Sequence, residues 1–116
     1  MRLISDAGEF TPPAGQARNH WIEQLRVADL SVGTYSIPRG GVDDQEPHTE
    51  DEIYVVTAGR AVLHASGDRV QVGPGAVVYV GAGEEHRFTD VTEDLAAIVV
   101  FAPAEGARGP GGDLTG

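Results

Sequence analysis

The pattern of apolar and polar positions predicts a chain of short β-strands. Runs rich in Val, Ile, Leu, Thr and Tyr recur about every ten residues, with Gly, Pro, Asp or Ser between them. Residues 30–38 alternate most clearly between two faces, which predicts a strand that ends at Pro38, because proline has no N–H to donate. This spacing of strands and turns is typical of an all-β sandwich or barrel.

The other strands are predicted from the same signals, and no stretch favours a helix. Residues 52–58 are β-branched and aromatic, and we interpret Gly59 and Arg60 as the turn to a hairpin partner at 61–65. A short edge strand is expected within residues 1–10. The remaining predicted strands lie at residues 20–27, 69–72, 76–80, 86–90 and 95–102.

A single domain accounts for the whole chain. The sequence has 116 residues, and a domain of this size buries roughly two thirds of the surface that its unfolded chain exposes. We expect a barrel over residues 1–103 and a disordered tail over residues 104–116, because the tail is rich in Gly and poor in large apolar side chains.

The composition limits the possible metal ligands and partners. Cysteine is absent, so any metal must be held by histidine and oxygen ligands. Eight Arg and no Lys stand against eighteen Asp and Glu, and the formal net charge of −10 repels nucleic-acid phosphates and anionic membranes. No apolar run approaches the roughly 20 residues of a membrane span, and the N-terminus lacks an apolar signal region. We therefore expect a cytoplasmic protein with neither nucleic acid nor membrane as a partner.

The candidate chemistry lies in the acidic stretch before the strand at 52–58. If this stretch and the strand form one extended segment, Glu46, His48 and Glu52 share a face, because every second side chain of a strand points the same way. His86, on another predicted strand, can face them across a small barrel. Two imidazoles with a carboxylate suit Fe(II), and a further oxygen ligand also suits Mn, Ni or Zn.

These residues match the two motifs of a known family. The chain resembles a small single-domain cupin, whose first motif runs G-x(5)-H-x-H-x(3,4)-E-x(6)-G. His48, Glu52 and Gly59 stand at the second His, the Glu and the closing Gly. Glu46 replaces the first His, and Gly40 restores the spacing of the opening Gly.

The second motif of the family, G-x(5)-P-x-G-x(2)-H-x(3)-N, is matched further along the chain. Gly75, Gly83 and His86 stand at its intervals, while Gly81 replaces the Pro and Asp90 replaces the Asn. The resemblance covers residues 21–103, nearly all of the predicted barrel.

The resemblance implies a jelly-roll barrel, or double-stranded β-helix, with a divalent transition metal near its centre. The implied metal ligands are His48, Glu52 and His86. Glu46 could bind the metal directly or stand behind a ligand. Alternatively, Gln45 could reach inward if a bulge at Pro47 shifts the register, or no protein ligand fills this position and it stays open for substrate or water.

The other polar residues are not predicted to bind the metal. Tyr54 shares the parity of Glu52, so its phenol is the candidate for a general acid or base in the pocket. His20 and His64 occupy no motif position and are interpreted as surface or barrel-wall residues. A solvated loop is expected for the neighbouring acids Asp43, Asp44, Glu50 and Asp51.

Three functions agree with these observations. The first is a metal-dependent enzyme, of the dioxygenase or isomerase type implied by the resemblance, acting on a small molecule. The second is a non-catalytic module that binds a small ligand or the metal itself, and the third is an interaction domain with a vestigial site. A homodimer is expected, formed through residues 2–4 or 20–27 as an edge strand.

Overall fold

The computed structural model describes residues 1–107, which form an all-β fold without helices. Residues 108–116 of the tail predicted at 104–116 lie outside the described residues. The strands are β1 (His20–Val27), β2 (Leu30–Ile37), β3 (Asp51–Ala65), β4 (Asp68–Val72), β5 (Val77–Val80) and β6 (His86–Ala102). The described residues contain no helix that is long and apolar enough to cross a membrane.

The strands pair antiparallel in the order β1-β2-β6-β3-β4, and β5 pairs with β3. The long strands β3 and β6 run side by side over almost their whole length. The first half of β3 also pairs with β5, whereas its second half pairs with β4. This arrangement confirms the predicted all-β fold and fits the jelly-roll barrel.

The predicted hairpin at Gly59 and Arg60 is wrong, because β3 continues through both residues. The register of β3 against β6 shifts three times between Val56 and Val62, so the strand bulges here instead of turning. Gly59 lies in this bulged region with a positive φ of 84°, a conformation that glycine adopts without steric cost. The two strands predicted at 86–90 and 95–102 are likewise one strand, β6.

We predict that Gly59→Ala destabilises the fold strongly. A Cβ atom at Gly59 would lie 2.2 Å from the carbonyl oxygen of Asp94 on β6, so the backbone itself would have to move. Gly67 is the matched control, because it has the same φ of +84° but no atom within 4 Å of an added Cβ. Chemical denaturation should show a loss of about 1–2 kcal/mol for Gly67→Ala and about 3 kcal/mol or more for Gly59→Ala. Equal losses would mean that the close approach to β6 is unimportant.

The alternation along β3 and β6 determines which side chains enter the barrel. Glu52, Tyr54 and Val56 are at most 2% exposed, whereas Ile53 between them is 38% exposed. On β6, His86 and Phe88 also point inward, as their 8% and 2% exposures show. The predicted inward face of these strands is therefore confirmed, and it places two of the candidate ligands inside the barrel.

The N-terminal segment lies across the sheet and contains no strand among residues 1–19. The N–H of Gly8 donates to Thr34 on β2, and its carbonyl accepts from the hydroxyl of Thr57 on β3. The edge strand expected within residues 1–10 is therefore wrong. β1 occupies an edge of the sheet, but the homodimer and the cytoplasmic location stay predictions.

Candidate metal centre and its cavity

Glu52 is a buried carboxylate without a hydrogen bond. Its side chain is 2% exposed, and neither Oε1 nor Oε2 has a hydrogen-bond partner. The nearest charged contact is Nε2 of His86, 3.2 Å from Oε1. Removing a carboxylate from water costs several kcal/mol unless a cation compensates. A cation bound beside Glu52 would therefore stabilise the folded protein.

His86 presents one ring nitrogen to Glu52 and anchors the other. Its Nδ1–H donates to the carbonyl of Glu84 at 2.8 Å, so the second nitrogen, Nε2, faces the barrel interior. Burial lowers the pKa of His86, but contacts with the Glu52 carboxylate and the Glu84 carbonyl outweigh burial and leave the pKa raised. With Nε2 deprotonated, the anchored ring has the orientation of a metal ligand.

His48 lies in the irregular segment between β2 and β3. Its carbonyl accepts a hydrogen bond from the N–H of Gly83, which ties this segment to the turn before His86. Nε2 of His48 is 3.2 Å from Oε1 of Gln45, and Nδ1 is 3.5 Å from Oε2 of Glu105. The His48 ring therefore stands between an amide oxygen and a carboxylate oxygen.

Gln45, and not Glu46, points its side chain inward. The strand β3 begins only at Asp51, so the extended segment assumed for the parity of Glu46 and His48 is absent. Pro47 lacks the N–H that would continue a ladder. Glu46 is exposed, whereas Gln45 is partly buried and bonded to Tyr54 and His48. Of the alternatives considered for this position, the structure brings Gln45 to the other donors.

Asp43 is the buried centre of the polar network behind the site. Its Oδ1 accepts from the hydroxyl of Tyr35 at 2.7 Å and from the Gln45 N–H at 3.3 Å. Its Oδ2 accepts from the Phe88 N–H at 2.8 Å and from Nε2 of Gln45 at 3.2 Å. The amide nitrogen of Gln45 is thus turned toward Asp43, and the amide oxygen is left facing His48.

The expected solvated loop is therefore wrong for two of its acids. Asp43 and Glu50 are each 2% exposed, because Asp43 is bonded as described and Glu50 accepts from the hydroxyl of Thr49. Asp44 is exposed, and Asp51 is half-buried, with its Oδ1 accepting from the Ala82 N–H at 3.0 Å. Local charge density does not distinguish Asp43 from its neighbours, since its partner Phe88 lies 45 residues further along the chain.

Tyr54 joins the two halves of the candidate site. Its hydroxyl is 2.9 Å from Nε2 of Gln45 and 3.0 Å from Nε2 of His86, and the residue is fully buried. Burial, and secondarily the Glu52 carboxylate, hold the pKa of Tyr54 well above its usual value. The phenol is therefore a neutral bridge between donors in this structure, and its catalytic role stays a prediction.

The donor set fits a metal by its chemistry, although the donors stand in two pairs. Within residues 1–107, no three His, Asp or Glu side chains are close enough together to form a complete metal site. Glu52 and His86 form one pair at 3.2 Å, and Gln45 and His48 form the other, also at 3.2 Å. The buried carboxylate of Glu52 and the anchored imidazole of His86 are donors of the kind that a divalent transition metal binds.

A cavity of about 200 Å³ opens beside these donors. It is lined by Asn19, Trp21, Tyr35, Asp44, Gln45, His48, Glu52, Val99, Phe101 and Glu105. A wider polar groove is lined by His86 together with Glu46 and His64, and Gln45 lines both the groove and the cavity. Glu46 does not line the smaller cavity, whereas Glu52 and His48 do.

Comparison with known proteins identifies the fold family. The family model for the cupin domain matches residues 33–102, which include most of β2, all of β3 to β6 and all the candidate donors. The chain is a cupin. Its similarity extends to an uncharacterised protein of Streptomyces coelicolor, 44% identical over 85 residues, or 73% of this chain and 81% of that protein.

Solved structures share the cupin fold at low identity. The DMSP lyase DddQ of Ruegeria pomeroyi has a TM-score of 0.69 at 20% identity, covering 87% of this chain and 54% of the lyase. A predicted oxalate decarboxylase of Thermotoga maritima has a TM-score of 0.64 at 21% identity, covering 86% and 89% of the two chains. At such identities these likenesses show the fold alone.

The cupin motifs did not reveal two residues of the site. Asp43 occupies an unspecified position of the first motif, and only the position of Tyr35 and of the Phe88 N–H makes it the network centre. Glu105 lies beyond the barrel boundary predicted at residue 103. Ala104 is nevertheless 1% exposed, and the Glu105 N–H donates to Ser31 at 2.9 Å, so the packed unit extends further than expected.

Proposed function

We propose that this cupin binds one divalent transition metal ion and uses it on a small molecule held in the adjacent cavity. The ligands would be His48, Glu52 and His86, with the side-chain oxygen of Gln45 in the place where the family motif has its first histidine. Glu46 is not part of this set, because it is exposed and does not line the cavity with Gln45, His48 and Glu52.

The observation that carries this proposal is the orphaned carboxylate of Glu52. It is buried, neither of its oxygens has a hydrogen-bond partner, and Oε1 lies 3.2 Å from the inward-facing Nε2 of His86, which the Tyr54 hydroxyl also contacts. An arrangement of this kind costs stability unless a cation is bound. Gln45 and His48 line the same cavity as Glu52 and complete a mixed nitrogen and oxygen donor set suited to Fe, Mn, Ni or Zn.

A bound metal would supply Lewis acidity toward a substrate oxygen. The chain's own residues provide the rest of the environment. Trp21, Val99 and Phe101 give the cavity an apolar wall, and Tyr54 holds Gln45 and His86 in position. The fold is shared with a DMSP lyase and a predicted oxalate decarboxylase, and their names support small-molecule chemistry for this chain as well.

A non-catalytic binding module is the second candidate. The observation that favours it is the position of Tyr54, the one residue predicted as general acid or base. Its hydroxyl is already bonded to Gln45 and His86, and it is not among the residues that line the cavity. If the metal-loaded protein binds small ligands but converts none of them, with or without oxygen, the binding module is the correct alternative.

Elemental analysis of the purified protein tests the metal proposal. We expect close to one transition metal ion per chain, either as purified or after reconstitution, and a clearly substoichiometric content for His48→Ala. His64→Ala is the matched control, because His64 is bonded to Thr89 and does not line the cavity with Gln45, His48 and Glu52, so the metal content of this variant should equal that of the wild type. The absence of metal from reconstituted wild type would refute the proposal.

A further inference from the structure

The cavity beside the candidate metal centre is lined by acids and by no base stronger than histidine. Three of its lining residues are carboxylates, Asp44, Glu52 and Glu105. No arginine of the described residues 1–107 lines it, and the chain contains no lysine. One divalent ion would not offset all three carboxylates, so the cavity keeps negative charge even when the metal is bound.

The basic residue at the cavity mouth does not reverse this balance. Nη2 of Arg26 donates to the backbone carbonyl of Glu105 at 2.5 Å, and the same guanidinium pairs with Glu23 at 3.0 Å. Arg26 is therefore engaged outside the cavity and neutralised by a carboxylate of its own strand. It fixes the position of Glu105 without offering a free cation to a ligand.

Two further observations point to the chemistry of the occupant. Glu52 is a fully buried carboxylate that lines the cavity and lacks a hydrogen-bond partner, so positive charge is favoured at this end. The lining also contains Trp21 and Phe101, whose rings meet edge to face with centroids 6.0 Å apart. Carboxylates combined with aromatic rings are the surroundings in which proteins bind organic cations.

We propose that the cavity selects small organic cations over anions of the same shape, and that Glu105 is the residue that sets this preference. The inference deepens the proposed function and depends on it only for the location of the pocket. Carboxylate substrates would meet repulsion from Asp44 and Glu105 before reaching the metal ligands.

Glu105 is held in place for this role by its backbone. Its N–H donates to Ser31, and its carbonyl accepts from Arg26, so the turn after β6 is attached to β1 and β2. Its carboxylate is 27% exposed and stands 3.5 Å from Nδ1 of His48. A residue beyond the last strand thereby supplies the charge at the mouth of the cavity.

A set of isosteric probes tests the preference. Choline, 3,3-dimethylbutanol and 3,3-dimethylbutyrate share one shape and carry positive, no and negative charge. Trp21 is the only tryptophan of the chain and lines the cavity, so its fluorescence reports binding directly. At about pH 8, choline should bind about tenfold more tightly than the anion, to the protein as purified and after chelation. An anion that binds as tightly as choline in either form, or the absence of choline binding, would overturn the proposal.

Glu105→Gln tests the assigned residue. It should weaken choline binding about three- to tenfold and leave the affinity for the neutral alcohol unchanged. Glu93→Gln is the control, because Glu93 is an exposed acid of β6 paired with Arg60, and it should alter neither affinity. Equal effects of Glu105→Gln on the cation and the alcohol would contradict the role of Glu105. A protein without metal would refute the metal proposal, but the charge preference is measured regardless of that result.

Discussion

Glu52→Gln should weaken metal binding by about a hundredfold or more and, at alkaline pH, make the metal-free protein more stable. The loss of affinity follows from replacing the single anionic donor of the proposed set with a neutral amide. The gain in stability follows from removing a buried carboxylate that has no hydrogen-bond partner. We expect about 1–2 kcal/mol for this gain at about pH 9.

The stabilising effect should shrink as the pH falls, because of His86. The pKa of His86 is raised above its ordinary value of 6.5 in the folded protein. Its contact with Glu52 therefore contributes stability that is fully present below pH 6.5 and is lost as the pH rises through the raised pKa. In acid, Glu52→Gln removes the partner of a protonated imidazole, and its advantage disappears or reverses.

Denaturant unfolding in the presence of a chelator, at about pH 9 and again below pH 6.5, measures this sign change in stability. Competition titration measures the metal affinity. Glu50→Gln is the matched control. Glu50 is buried to the same 2% exposure but accepts a hydrogen bond from Thr49, so its replacement should not stabilise the metal-free protein. A Glu52→Gln variant that is less stable than wild type at alkaline pH would show that Glu52 is satisfied without a metal.

Asp43→Asn should lower both the stability of the protein and its affinity for metal. Asparagine keeps one acceptor atom, but its amide group would face the donor of either Tyr35 or Phe88 and the amide of Gln45. Leaving a buried donor unsatisfied costs about 1–3 kcal/mol. Gln45 would also be free to rotate its oxygen away from His48, and the loss of such an orienting contact lowers metal affinity about 10–100-fold.

A double-mutant cycle separates the orienting role of Asp43 from its structural role. If Asp43 acts on the metal through Gln45, then Asp43→Asn should change metal affinity little in a Gln45→Ala background, whereas its stability cost should persist. The d–d absorption of the Co(II)-loaded protein should report the altered ligand set. Asp29→Asn, an exposed acid in the β1–β2 turn, controls for the change in charge. Additive losses of affinity would refute the coupling.

The sequence predicts correctly those strands whose limits are determined by nearby residues. The prediction is wrong where contacts with residues distant in sequence determine the backbone. β1 and β2 match their predicted bounds, because the turn between them and Pro38 delimit them locally, although β1 bulges between Glu23 and Leu25. Gly59 was taken for a turn, since a glycine at positive φ suits a turn and a bulge equally well. Only the neighbouring strand β6, which passes so close that Gly59 can carry no side chain, shows that the chain continues straight on.

The candidate site shows the same division. Glu52 and His86 lie on strands, so parity places them inside the barrel as predicted. Glu46 and Gln45 lie in an irregular segment, where side chains do not alternate between two faces as they do in a strand. Gln45 is the one that turns inward, because its amide donates to Asp43. Glu105 follows the last strand, and its contact with His48 depends on hydrogen bonds to Ser31 and Arg26 that no local pattern encodes.

The pairing of β3 with β6 also implies an order of assembly. At one end Ala65 pairs with His86, and at the other Asp51 pairs with Ala102, so the second contact closes a loop more than twice as long. Loop-closure entropy favours the shorter closure first, and nonlocal strand pairs of this kind form slowly. The two strands should therefore zip from the Leu63 end toward Glu52, which completes the ligand-binding end after the rate-limiting step. A ligand bound there would slow unfolding and leave the rate of folding almost unchanged.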